Sequence, residues 1–307
     1  MARLEVDSAA DPVAVDAPDA ALASEPVEAV RAPVRKRRRD WGMVLGVAWI
    51  VFVVAIALLA PVLPLQDPLE LNPGAGRQGP GADHWLGADQ LGRDQLARLA
   101  WGARVSLLVG FGATILSGVV GVTMGLIAGF YRRATDGTIM GAVDILLAFP
   151  ALILAIALTS LLGASVRNVI IAIAFLGLPA FTRVARAQTL AYAERDFVKA
   201  ARSVGASNAR IMIREIAPNI LPTMVSYALV IVAIAIVVEG ALSFLGLSVS
   251  AEIPTWGGMI DAGRGDLERA AHISLIPAAT MFLTVLAFNS VGDKLARRHG
   301  GVSAGVA

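Results

Sequence analysis

The chain has 307 residues, 56% of them hydrophobic and only 16% charged, with a mean hydropathy of +0.69. Soluble domains carry about 45–50% apolar and about 25% charged residues, so this composition excludes an ordinary soluble domain and points to the membrane. A net charge of +2 argues against phosphate-driven nucleic-acid binding, and the absence of cysteine excludes disulfides and thiolate chemistry.

Residues 1–40 read as a disordered cytoplasmic tail, rich in Ala, Asp, Glu, Pro and Val without apolar periodicity. The tail ends in Arg35, Lys36, Arg37, Arg38 and Arg39. The apolar run that follows, 41–63, is too long and begins too late for a cleaved secretory signal. A basic cluster against such a run is a topology signal rather than a nucleic-acid patch. Segment 41–104 is thus expected to hold a first transmembrane helix and an extracytoplasmic loop. Five further apolar runs, 105–130, 139–162, 169–181, 221–247 and 273–291, complete an all-α membrane protein of about six transmembrane helices, with a core at 105–293. The fourth run is short and holds Pro179, so it spans only if its helix continues past Thr182 and Arg183. Residues 294–307 form a short tail.

Basic residues cluster in the tail, in 131–137, in 183–219 and in 292–307. The intervening loops carry Asp67, Glu70, Asp83, Asp89, Asp94, Glu252, Asp261, Asp266 and Glu268. This asymmetry predicts that both termini are cytoplasmic. Within the second run Ala113, Ser117, Gly121, Gly125 and Gly129 recur every four residues, a ridge for close helix packing. Asp144 and Glu239 are acids inside apolar runs, and an ionised carboxylate facing lipid costs about 2.5–3.5 kcal/mol, so both are expected to face the bundle or water. Asp144, near the inner end of its run, suits a structural pair. Glu239 and its neighbour Ser243, one turn on, are candidates for the translocation path; a structural partner for an arginine or a backbone amide is the competing role for Glu239. Trp85 and Trp256 lie in the outer loops, suited to the membrane interface or, for Trp256, to packing its loop.

His84, His272 and His299 show no ligand spacing, so no metal site is expected. No lysine follows a glycine, so the chain has no GxxxxGK[ST] phosphate loop, and ATP hydrolysis of that kind would need another subunit. The long loop 196–222, DFVKAARSVGASNARIMIREIAPNILP, reads as two short helices. Phe197, Ala201 and Val204 form an apolar stripe in the first, and Gly205 ends it. Ser207 caps the second, where Met212 and Ile216 share a face, and Pro218 and Pro222 break it before the next span. Such a pair serves either as a knob for a partner's groove or as an interfacial helix lying on lipid.

This segment resembles the EAA loop of bacterial ATP-binding-cassette importer permeases: EAA, three residues, Gly, nine residues, I-x-L-P. Ala200, Ala201, Gly205 and Pro218 are in register, whereas Lys199, Glu215 and Ala217 replace the Glu, Ile and Leu. HWLGADQLGRDQLARLAWGARVSLLVG (84–110) resembles the region before the second span in dipeptide, oligopeptide and nickel permeases, and EGALSFLGLSV (239–249) with PTWGGMI (254–260) resembles the C-type member of the permease pair. The resemblance covers residues 41–298. It implies a type I importer architecture and a coupling loop including Phe197, Lys199, Ala200, Ala201, Gly205, Ala206, Ser207 and Pro218. It further implies a B-type permease partner, two ABC ATPase subunits and an extracytoplasmic solute-binding protein. No cofactor is then expected on this chain itself; ATP and Mg2+ belong to the ATPases. A secondary transporter would need coupling-ion sites in repeated halves, and a membrane enzyme a nucleophile beside a base. Neither pattern is evident in the sequence.

Overall fold

The computed structural model describes residues 41–250 and 252–303, with side chains to Arg298. The expected amino-terminal tail and its basic cluster lie outside the described residues. Those described fold into helices without a strand; a single bridge pairs Ala88 with Asp94. In hydrocarbon every backbone N–H and C=O must be satisfied within the chain, and the helix achieves this locally.

The helices are α1 (Trp41–Leu59), α2 (Gln95–Tyr131), α3 (Arg133–Leu147), α4 (Ala151–Leu162), α5 (Val166–Ala193), α6 (Asp196–Ser203), α7 (Asn208–Phe244), α8 (Trp256–Gly263) and α9 (His272–Ser303). Five of them, α1, α2, α5, α7 and α9, are long and apolar enough to cross a membrane. The sixth expected crossing, 139–162, is not one straight helix. It breaks at residues 148–150 into α3 and α4, bent by 87°. Pro150 supplies no N–H and disfavours helical backbone at Phe149. The doubtful fourth run does continue past Thr182 and Arg183, to Ala193, with Pro179 inside α5. At the carboxyl end α9 runs on to Ser303, where the sequence suggested a tail from 294.

The centre of the bundle is the α2–α5 pair, built on glycine. A Cβ on Gly121 would lie 2.7 Å from Phe181 Cβ, one on Gly125 2.5 Å from the Thr182 carbonyl, and one on Gly129 2.8 Å from Thr189 Cβ. Ser117 faces Gly177 of α5 in the same row. The two backbones approach to a distance that no larger side chain allows. Thr182 and Thr189, both buried, return their hydroxyls to the carbonyls of Leu178 (2.8 Å) and Ala185 (2.7 Å) and expose no polar group to the contact. Helix α9 packs on α7 and α1, leaving α1 at the rim with most of its side chains exposed.

Candidate functional site

The two ends of the bundle carry different constructions. At one end α5 turns into α6, the first part of the loop singled out in the sequence. Val198 is fully buried there and joins Ile211, Ile216, Ile220, Phe130 and Ala193 in one apolar cluster, with Ala201, Ala206 and Met212 beside it. The inward stripe of α6 is thus Val198 and Ala201. The expected stripe of Phe197, Ala201 and Val204 does not form a single face: Phe197 is 39% exposed and Val204 83%. Phe197, Ala200 and Val204, spaced i, i+3, i+7, face outward, with Lys199 also exposed and held to Asp196 at 3.2 Å.

Gly205 ends α6 at φ +80°, with open space around its α-carbon. Its N–H donates to the Arg202 carbonyl (3.0 Å) and the Ala206 N–H to the Ala201 carbonyl (3.1 Å). These are the two hydrogen bonds of a Schellman cap, and Ala201 and Ala206 both pack against the apolar cluster behind it. Ser207 then accepts from the Arg210 N–H at 3.4 Å and starts the next helix. That helix does not stop at Pro218 or Pro222. It continues to Phe244, after a π-helical segment at Ile211–Ile216. The wider π turn changes the backbone pairing just ahead of Pro218, where an N–H is missing. The second short helix of the sequence reading is therefore the first part of a 37-residue helix.

At the opposite end Glu239 lies near the end of α7 and is fully buried. Its carboxylate accepts from Ser243 Oγ (2.6 Å) and Ser248 Oγ (3.3 Å) on one oxygen, and from Ser106 Oγ (3.1 Å) on the other. Ser106 in turn accepts the Trp256 N–H (3.2 Å), and Thr255, which caps α8, lies 3.1 Å from Ser243 Oγ. The backbone N–H on Ser106 occupies a lone pair and leaves its O–H for the carboxylate. No ion pair to Glu239 forms among the described residues; hydroxyls stand where an arginine or a backbone amide was considered. The carboxylate ties α2, α7 and the start of α8 together. Trp256, also fully buried, donates its indole N–H to the Leu99 carbonyl (3.2 Å), and a Cβ on Gly257 would lie 2.5 Å from Gly240 Cα.

Glu239 is enclosed, whereas Ser243 reaches the edge of a cavity of about 360 Å³ that Arg93, Arg98 and Asp261 also line. Ser106, Ser248 and Thr255 were not legible as partners of Glu239, although all three lie in the stretches that carry the family resemblance. The loop 60–94 and α8 close this end. Arg77 pairs with Asp266 at 2.8 Å, and Asp94 caps α2 while holding His84 Nδ1 at 2.9 Å. The Arg77 hydrogen bond holds the Asp266 carboxyl below the usual carboxylate range. Trp85 is exposed. Asp144 pairs with Arg183 at 2.6 Å, both side chains remaining more than half exposed.

Residues 121–300 match the model of binding-protein-dependent transport system inner membrane components. This chain belongs to that family. A dipeptide transport system permease protein, DppC, from Alkalihalophilus pseudofirmus is 39% identical over 265 residues, covering 86% of this chain and 87% of the relative. A glutathione transport system permease protein, GsiD, from Pectobacterium atrosepticum is 37% identical over 284 residues, covering 90% and 94%. A crystal form of the MetNI methionine ABC transporter in an inward-facing conformation shares the fold, with a TM-score of 0.56 at 18% identity over 66% of this chain and 97% of that one. As a member, the chain is an inner-membrane component, and the family's work is transport.

Proposed function

We propose that this chain is the permease subunit of an ATP-driven importer, carrying small peptides or related solutes across the cytoplasmic membrane by alternating access. The observation that carries the reading is the α6 knob. It presents an apolar outward stripe, Phe197, Ala200 and Val204, on a helix fixed from behind by Val198 and closed by a Schellman cap. An exposed apolar stripe, mounted on a packed support outside the long apolar spans, suits a protein groove. The relatives in dipeptide and glutathione transport systems support a peptide-like solute. Separate ABC ATPase subunits dock on α6 in this reading and hold the ATP and Mg2+; this chain contributes no catalytic site. A B-type permease completes the path, and a solute-binding protein meets the end built from 60–94 and 245–271. The arginine distribution supports placing the α6 end and both termini in the cytoplasm.

Alternating access then needs a stiff lever and a bundle with two packings rather than a reactive group. Helix α7 is the lever: it begins one turn beyond α6 and ends in the Glu239 cluster. The test is purification of the tagged full chain in mild detergent, followed by identification of the co-purifying subunits and an ATPase assay. Recovery of an ATPase and a second permease, with the ATPase lost in Val204→Glu, is the expected result. A chain that purifies alone and drives peptide uptake alone in proteoliposomes would sink the proposal.

A further inference from the structure

A cleft of about 740 Å³ lies between the segment that follows α1 and the second to fourth turns of α2, with Glu252–Pro254 as its third wall. Its position relative to the bilayer follows from its walls. Ala60, Pro61 and Leu63 come directly after α1, which spans about 28 Å at 1.5 Å per residue, close to the full hydrocarbon thickness. The cleft therefore sits at the hydrocarbon boundary. It also opens sideways: Leu58 and Val62 at the end of α1 are 73% and 76% exposed, and Leu108, on its α2 wall, is 56% exposed. Acyl chains reach such a cleft without leaving the bilayer.

Its charges are unusual for a lipid-facing surface. Arg104 is exposed, makes no ion pair among the described residues, and stands over the Trp101 ring at 5.7 Å. Asp67 and Glu252 line the same cleft and likewise have no cationic partner among the described residues. One cation and two carboxylates thus line one cavity without neutralising one another. A simple anion would meet Arg104 but also both carboxylates, and a simple cation the reverse. A ligand that carries an oxyanion and a primary ammonium a few atoms apart satisfies both signs at once. Arginine binds phosphate oxygens through two N–H groups, and an ammonium offers hydrogen bonds to carboxylates. Apart from Gln66 the rest of the lining is apolar, including Leu63, Val105 and Leu108, as an acyl chain requires.

We propose that this cleft is a binding site for an aminophospholipid of the phosphatidylethanolamine type. The phosphate lies on Arg104 beside Trp101, the ammonium on Asp67 and Glu252, and an acyl chain runs along Leu108. The inference does not depend on the transported solute or on the ATPase partners. A zwitterionic peptide shares the headgroup's chemistry, and the sideways opening to hydrocarbon favours the lipid.

The test uses the full chain, with its co-purifying subunits, equilibrated in mixed micelles of equal phosphatidylethanolamine and phosphatidylglycerol. Retained phospholipid is then quantified. Wild type should retain phosphatidylethanolamine in preference. Arg104→Gln should retain about fivefold less of it, the equivalent of one headgroup charge contact of about 1 kcal/mol. Asp67→Asn with Glu252→Gln should shift the preference toward phosphatidylglycerol with total retention unchanged. Quenching of tryptophan fluorescence by brominated phosphatidylethanolamine should shrink in Trp101→Phe, which ties the lipid to this cleft. All four side chains are at least partly exposed, so unfolding temperatures should match wild type. Equal retention of the two lipids by wild type, unchanged retention in Arg104→Gln, or displacement by millimolar dialanine would each overturn the assignment, the last giving the cleft to the solute.

Discussion

The α6 knob and the Glu239 cluster stand at opposite ends of one helix and invert the usual placement of side chains. At the knob, apolar groups face outward from a polar loop: Val204 is 83% exposed. At the cluster, an acid is enclosed inside an apolar bundle with three serine hydroxyls bound to it. Each inversion costs free energy in this chain alone. The knob recovers its cost only when another surface covers it, whereas the cluster already satisfies its polar atoms. In the proposed reading the knob makes an external contact, whereas the cluster makes an internal one. Substitutions at the first should harm assembly without harming the fold, and substitutions at the second the reverse.

The largest expected effect is at the knob. Val204→Glu and Ala200→Glu place a charge on the outward stripe and remove no buried contact. Loss of one interface anchor costs about 2 kcal/mol or more, so the ATPase retained by the purified chain should fall about thirtyfold. The unfolding temperature should not move. Equal falls in ATPase recovery and thermal stability would erase the distinction between the two ends. Gly205→Val sharpens it from within the knob, because a β-branched residue at φ +80° strains the cap by about 1–2 kcal/mol. Its effect on ATPase retention should be smaller than that of Val204→Glu, since the outward stripe is intact.

Packing at the centre comes next. Gly125→Leu would drive a side chain into the Thr182 carbonyl and Ala185, and overpacking of this kind costs about 1–3 kcal/mol. Gly141→Ala, in α3 with open space around it, is the control and should leave thermal unfolding in detergent nearly unchanged. If both glycines tolerate substitution equally, the α2–α5 contact is looser than this structure shows.

The behaviour of proline separates what the sequence could and could not reveal. Pro150 breaks its apolar run and bends it by 87°, while Pro179, Pro218 and Pro222 sit in helices that continue. Residue type was the same, so neighbours decided. Pro179 is buried in a helix held along much of its length by the α2 glycine ridge, and Pro218 follows a π segment. Around Pro150 the side chains of Leu147, Phe149, Leu152 and Ile153 are exposed, and little packing opposes the break. Apolar run length and small-residue spacing are local properties: five of the six expected runs lie in helices long enough to cross, and the row of small residues lies against α5. Of the partners of Glu239, Ser243 is one turn on and readable from spacing, whereas Ser106 is 133 residues away and no spacing rule connects it to α7. The apolar stripe of α6 was drawn through Ala201 instead of Ala200 for a related reason. Ala201 and Ala200 are chemically identical, and only the position of Ile211 and Phe130 behind the helix distinguishes inside from outside.

At the cluster, Glu239→Gln replaces an acceptor oxygen with a donor among hydroxyls already committed as donors. The cost of one mismatched buried hydrogen bond is about 1–3 kcal/mol. It should appear as faster hydrogen exchange in residues 255–263 and a lower unfolding temperature, with ATPase retention unchanged. Ser248→Ala removes the longest of the three contacts, at 3.3 Å, and should cost less. If Glu239→Gln instead abolishes uptake while leaving exchange in 255–263 unaltered, the carboxylate acts on the solute path and not as a tie between helices.

The smallest effect concerns the loop that covers the cluster, and it depends on pH. Arg77 donates to Asp266 across the cap and lowers that carboxyl's pKa in the folded protein. A carboxylate with a depressed folded pKa binds protons more readily when unfolded. The stabilisation is therefore fully present above the ordinary Asp value of about 3.9 and is lost as pH falls through the lower folded value. Asp266→Asn should remove it at neutral pH. Limited proteolysis of the 60–94 and 245–271 loops should then proceed as it does in acidified wild type, while α6 and the bundle remain protected. Acidification that loosens α6 as readily as the cap would mean that this ion pair does not set the pH response of the loops.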